Sequence, residues 1–237
     1  NTGVAEQSMI GIAAGMALRG LKPFCYTIAT FALYRPFEMI RDDLCYQNLP
    51  VTIVGMGAGT IYSNLGGTHL TQEDVSIAKS IPNMSVIAPC DPMELRYAVN
   101  YCCNFSKNPI YLRIGKSGEK NFTSNAIDKW QFGKIRKIVN GKKICILSYG
   151  PIMSIAQNVL KDLNKKKIYP SLYSVHTLKP LDYLRIKKIF KKYKIVVVIE
   201  DHSVINGLAH DVRVSAQELK FNKTILSYSL KDKFFHT

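Results

Sequence analysis

Acidic residues are scarce in this chain: 17 Asp and Glu stand against 32 Lys and Arg over 237 residues, a formal net charge of +15. The shortage is local. Residues 1–115 hold eight basic and eight acidic side chains, whereas residues 116–237 hold 24 and nine, so the whole excess lies in the second half. Its basic runs, Lys165-Lys166-Lys167 and Lys187-Lys188 with Lys191-Lys192, lack an interleaved aromatic platform or any nucleic-acid-binding motif, and they read as a solvated lysine surface. Long apolar runs are also missing: none nears the ~20 residues of a bilayer span. No secretory signal opens the chain, so a cytoplasmic location and no membrane partner are expected. The six cysteines (Cys25, Cys45, Cys90, Cys102, Cys103 and Cys145) show no metal-type spacing, which speaks against a zinc framework and for reduced thiols. Adjacent Cys102 and Cys103 read as helix packing. Neither half repeats the other.

What is present is enough apolar content, 47%, to bury the core of two ordinary domains. Residues 3–20, "GVAEQSMIGIAAGMALRG", read as one helix with a single carboxylate, Glu6, in its first turn and Gly20 as a left-handed cap. A helix apolar nearly all round is expected to be buried, and its Gly and Ala positions admit another backbone or a flat ligand. Desolvating Glu6 is expensive without a partner, so either it caps its own helix or a hydrogen-bonding group is brought to it.

Further along, "KPFCYTIATF", "LPVTIVGMG", "MSVIAP" and "PIYLRIG" have the near-continuous apolar character of buried strands. Helical segments "RPFEMIRDDLCYQN" and "PMELRYAVNYCCNF" alternate with them, the latter started by Asp91; Thr71 with Asp74 forms a capping pattern for another helix. The glycines of "AGTIYSNLGGTHLTQED" permit close ligand approach. Residues 116–135 lack a period and read as a linker; residues 136–237 repeat the alternation, with "PSLYSVHTLKP" as a single strand. The fold class is therefore α/β, two doubly wound domains over residues 1–115 and 136–237 with mostly parallel sheets. Because a strand and helix normally precede such a buried helix, and "DKFFHT" ends abruptly, residues beyond both ends are expected.

The ordered set "GVAEQSMIGIAAGMALRG", "KPFCYTIATFALYRPFEMIR", "GTHLTQED", "IPNMSVIAPCDPMEL" and "NPIYLRIGK" resembles the pyrimidine-binding domain of transketolase-like, thiamine-diphosphate-dependent enzymes. The second half resembles the transketolase C-terminal domain through Lys179-Pro180-Leu181-Asp182, Glu200-Asp201-His202 and Gly207-Leu208. Split transketolases, in which this half is a separate subunit, are most similar. The resemblance implies roles for particular residues. Glu6 matches the acid that holds the far nitrogen of the cofactor's aminopyrimidine, so that the ring can remove the thiazolium proton. Phe31 matches the ring that stacks on the pyrimidine; Tyr34 or its neighbour Arg35 completes the pocket, and Ile28 lines it. His69 matches a histidine that bonds the substrate carbonyl or the developing alkoxide, and Arg113 one that binds a sugar phosphate, a strand-end salt bridge being its alternative. Arg19 reads as a surface residue, and His176, His202, His210 and His236 as structural.

The family's Gly-Asp-Gly motif for the diphosphate and Mg²⁺ does not occur in this chain. The resemblance thus implies a partner: an N-terminal subunit or section holding the metal and diphosphate, with dimerisation of complete units and sugar phosphates as substrates. Gly57 and Leu65 stand where well-studied transketolases place a second histidine and a hydroxyl-reading aspartate. The expected activity is ketol transfer. A 1-deoxyxylulose-5-phosphate synthase-like carboligase, a 2-oxo acid dehydrogenase beta subunit and a catalytically inactive scaffold are the alternatives.

Overall fold

The computed structural model describes residues 1–235, which leaves His236 outside it. In the first half α1 (Glu6–Leu18) leads into β1 (Phe24–Ile28), the short α2 (Ala29–Leu33) and α3 (Phe37–Met39), which widens into a π-helical stretch over Ile40–Tyr46. β2 (Thr52–Met56), α4 (Asp74–Ser80), β3 (Ser85–Ile87), α5 (Pro92–Asn104) and β4 (Ile110–Ile114) follow. The second half runs β5 (Arg136–Val139), β6 (Ile144–Ser148), α6 (Met153–Lys165), β7 (Ser171–Ser174), β8 (Thr177–Lys179), α7 (Tyr183–Lys192), β9 (Ile195–Ser203), α8 (Leu208–Glu218) and β10 (Thr224–Leu230).

These strands form two five-stranded sheets, ordered β1-β2-β4-β3-β8 and β10-β9-β6-β7-β5. Both are parallel except at one edge, where β8 runs antiparallel to β3 and β5 to β7. The stretch expected as one strand is two, and they belong to different sheets. Val175 N donates to Ser148 O at 2.8 Å, and Ala88 N to His176 O at 2.8 Å, so the chain leaves one ladder and enters the other within two residues. Apolar side chains on both faces of each sheet make the core, as expected of parallel strands covered on both sides.

α1 closes as read from the sequence: Gly20 has φ +87°, its N–H bonds Ala17 O, and Leu21 N–H reaches back to Met16 O. This is the paired arrangement in which a left-handed glycine satisfies the last carbonyls. The helix is only half covered, however. Ile10, Ala13, Ala14 and Ala17 are buried, while Ile12 and Leu18 are 55% and 63% exposed. A sequence apolar all round carries no record of which face this chain itself covers.

Asp91 caps α5 as expected, accepting from Glu94 N at 2.8 Å. Its other oxygen accepts from Phe122 N, Thr123 N and the Thr123 hydroxyl at 2.7–2.8 Å, so the connecting segment is strapped down at that point. Buried Glu94 takes Cys90 N and the Ser174 hydroxyl on one oxygen and Arg136 on the other, tying α5 to β5 and β7 of the second sheet. Burial raises its pKa against these contacts.

Candidate functional site

The C-terminal ends of β1, β2 and β4 face a group of loops, the usual position for a ligand crevice in an open parallel sheet. Glu6 sits at the edge of this group with a side chain only 9% exposed. It does not cap α1. Its Oε2 accepts from Arg35 Nη1 at 3.0 Å, and the flat Arg35 guanidinium lies over the Phe31 ring, its carbon 4.2 Å from the centroid. Phe31 is held there by α2, which begins directly after Ile28, the half-buried last residue of β1.

From Phe31 the contacts continue without a gap. His69 meets Phe31 edge-on, with centroids 5.3 Å apart and planes at 74°, and Tyr62 at 6.4 Å and 72°. Thr68 Oγ1 lies 2.9 Å from His69 Nδ1, which leaves Nε2 as the ring nitrogen free to serve a ligand. Lys116 Nζ is 5.3 Å from the Tyr62 ring centre. A line of contacts thus runs from Glu6 through Arg35, Phe31, His69 and Tyr62 to Lys116.

Two further expected members are engaged by other side chains and backbone of the chain itself. The Tyr34 hydroxyl donates to Glu73 at 2.8 Å and its ring packs against the core; burial, with Asp74 and Glu73 nearby, pushes its pKa up. Of the two adjacent candidates it is Arg35 that contacts Phe31. Arg113 is 1% exposed. Its Nε donates to Asp74 and its Nη2 to Asp201 O, both at 2.8 Å, while Tyr111 OH donates to the same Asp74 oxygen at 2.8 Å. Burial works against the guanidinium charge, but Asp74, Tyr149, Asp201 and Tyr111 together outweigh it and keep Arg113 protonated. Arg113 thus takes part in the strand-end salt bridge that was its alternative reading, with Nε and Nη2 engaged within the chain.

This arrangement also overturns the Thr71–Asp74 cap: Glu73 is the N-cap of α4 and its side chain makes no capping bond, Asp74 serves Arg113, and Thr71 Oγ1 accepts from Gly59 N at 2.7 Å. At the helix start Ser76 N instead donates to His202 Nε2 at 3.3 Å. His202, read as structural, has a defined set of partners in Ser76 and the Ser203 carbonyl. His176 is buried and stacked on Trp130, with centroids 4.9 Å apart, and His210 is exposed. Gly57 has φ +68°, and a Cβ there would lie 2.0 Å from the Tyr62 ring. Tyr62 fills the space that a side chain at Gly57 needs. Leu65 closes a single 3-10 turn, Ser63–Leu65, and is 48% exposed. Sequence reading missed Arg35 as the partner of Glu6, and Tyr62 and Lys116 altogether. Lys116 lies in "RIGK", within a quoted motif, but only the sequestration of Arg113 singles it out.

Among the described residues no group of three or more His, Cys, Asp or Glu is placed to hold a metal ion, and no helix is long and apolar enough to cross a membrane. Residues 1–118 match the family model "Transketolase, pyrimidine binding domain" and residues 133–235 "Transketolase, C-terminal domain". A protein of Methanocaldococcus jannaschii provisionally named a transketolase C-terminal section is 34% identical over 99% of this chain and 73% of its own length. The 1-deoxy-D-xylulose-5-phosphate synthase of Dictyoglomus turgidum is 34% identical over 99% of this chain, but the chain spans only 38% of that enzyme. Among solved structures, a split-gene transketolase described as an inactive beta4 tetramer superimposes over 100% of this chain and 76% of its own, with TM-score 0.88 and 30% identity. The transketolase of Campylobacter jejuni shares the fold at TM-score 0.76 and 16% identity, over 95% of this chain and 34% of its own.

Proposed function

The chain belongs to the transketolase family, and from that premise we propose that it forms the pyrimidine-binding wall and the substrate-facing histidine of a thiamine-diphosphate-dependent ketol transferase. The observation that carries this reading is the Glu6–Arg35–Phe31 arrangement. A planar N–H donor, the guanidinium, already bonds the Glu6 carboxylate while its carbon sits 4.2 Å over the Phe31 ring centre. An aminopyrimidine needs the same two contacts, so the residues fit the group. When bound, thiamine diphosphate supplies a carbon nucleophile toward a substrate carbonyl.

The chain's own residues have distinct tasks. Glu6 holds a proton at the far ring nitrogen, a role suited to a carboxyl largely removed from water. Phe31 and Ile28 fix the ring plane. His69, with Nδ1 occupied by Thr68, donates to a carbonyl oxygen acquiring charge. Lys116, exposed and at the far end of the line, takes the phosphate contact first assigned to Arg113.

The diphosphate and Mg²⁺ are held by an N-terminal subunit or section, since Mg²⁺ needs oxygen ligands together with the phosphates and residues 1–237 lack the motif for them. Assembly into a dimer of complete units is supported by the open face of α1. Ile12, Met16 and Leu18 are exposed there, and Gly11 and Gly15 have nothing within 4 Å of a Cβ position. A coupled assay of the assembled enzyme with xylulose 5-phosphate and an aldose acceptor tests the reading. Ketol transfer is expected, and its absence would refute it. The Dictyoglomus relatives favour a second reading, carboligation of pyruvate with release of carbon dioxide. Carbon dioxide evolution from pyruvate without ketol transfer would select it.

A further inference from the structure

The segment between β2 and α4 carries Tyr62 and His69, yet its regular structure is a single 3-10 turn. Its position is set at its two ends, from the other sheet. At the entry Thr60 donates twice to Asp201, from N to Oδ2 at 2.9 Å and from Oγ1 to Oδ1 at 3.0 Å. At the exit Ser203 N donates to Gln72 O at 2.7 Å, and His202 Nε2 accepts from Ser76 N while its Nδ1 lies 2.9 Å from Ser203 O. Three successive residues of β9 therefore grip both ends of the loop.

Local sequence is adapted to this grip. Gly59 has φ +76°, and a Cβ there would lie 2.0 Å from Asp201 Oδ2, so the carboxylate can come this close only to glycine. The Asp201 carbonyl accepts from Arg113, which anchors the same point to β4. Asp201 is 8% exposed, and both its carboxylate oxygens are occupied by Thr60.

We propose that Asp201 is a positioning residue: by fixing the entry of the loop it keeps His69 edge-on to Phe31 and acts on turnover through His69. The second domain on this account takes part in building the active site and is more than an assembly module. The proposal rests on the reading of His69 as the substrate-facing donor.

Hydrogen exchange followed by mass spectrometry, together with kinetics on the assembled enzyme, tests it. Asp201→Ala and Thr60→Val should each speed exchange across residues 57–72 about tenfold, leaving α5 and β6 unchanged, while Thr60→Ser, which keeps the hydroxyl, behaves as the parent. Unchanged loop exchange in Asp201→Ala overturns the proposal. In a double-mutant cycle Asp201→Ala should lower kcat/KM about tenfold when His69 is present and hardly at all in the His69→Ala background. Equal losses in both backgrounds would overturn the action through His69, since a merely structural role is additive. Full turnover by His69→Ala would remove the functional reading of His69 and with it the effect on turnover; the exchange result would still decide whether Asp201 holds the loop.

Discussion

Replacing Arg113 with alanine separates the two roles that sequence and structure assign to it. The guanidinium is 1% exposed and its removal leaves the Asp74 carboxylate, itself 0% exposed, with only the Tyr111 hydroxyl. Among the described residues the second oxygen of Asp74 has no hydrogen-bond partner even with Arg113 in place. Breaking one side of a buried ion pair costs about 3–5 kcal/mol, because the surviving charge stays desolvated. For a chain of this size each kcal/mol lowers the melting temperature by about 2–4 °C, so the drop should be on the order of 10 °C. Circular dichroism melts give that number, and steady-state kinetics on the assembled enzyme give the other half of the test. Residual activity of Arg113→Ala should show similar KM changes for phosphorylated and unphosphorylated substrates. Lys116→Ala should melt within about 2 °C of the parent, as exposed side chains with no ion pair do, and raise KM for phosphorylated substrates selectively. If Arg113→Ala melts normally and selectively loses phosphorylated substrates, the buried-pair reasoning is wrong.

Three further outcomes follow from particular contacts. Burial holds the His176 pKa down to about 3, so its neutral form is favoured in the folded chain. Its contribution is fully present above the unfolded value of about 6.5 and is lost as pH falls toward 3. Stability of the parent relative to His176→Phe should therefore fall by about 3 kcal/mol between pH 7 and pH 4.5, measured by denaturation at each pH; a constant difference would show that His176 does not titrate in this way. Gly57→Ala forces a left-handed side chain into the Tyr62 ring, costing about 1–3 kcal/mol in a thermal melt. Adding Tyr62→Ala should remove part of that loss, and no relief would contradict the overlap. Glu6→Gln should leave the circular dichroism spectrum unchanged yet lower turnover of the assembled enzyme by orders of magnitude, since an amide cannot hold the proton; preserved turnover removes Glu6 from the mechanism.

The strand and helix alternation, the Gly20 terminus and the Asp91 cap were legible because each depends on neighbouring residues. What escaped depends on long-range contacts. The "PSLYSVHTLKP" stretch reads as one strand because nothing local marks the point where it changes sheets; Ser148 and Ala88 define it from afar. Asp74 reads as part of a cap until Arg113 and Tyr111, 39 and 37 residues away in sequence, claim its carboxylate. Arg113 itself matched a phosphate-binding pattern, and its engagement by Asp74 and the Asp201 carbonyl depends on residues far away in sequence. Glu6, Phe31 and His69 were named from their motifs, whereas the contact of Arg35 with both Glu6 and Phe31 required coordinates. The face of α1 left open by this chain is likewise invisible in a helix apolar all round.

The central claim is that this chain supplies one wall of a shared cofactor site. Titration calorimetry with thiamine diphosphate and Mg²⁺, on the chain alone and then with the partner polypeptide bearing the diphosphate-binding motif, tests it most directly. The isolated chain should show no measurable binding, and Mg²⁺-dependent binding should appear once the diphosphate-binding half is present. Tight, metal-dependent binding by the isolated chain, or none by the assembled pair, would contradict it.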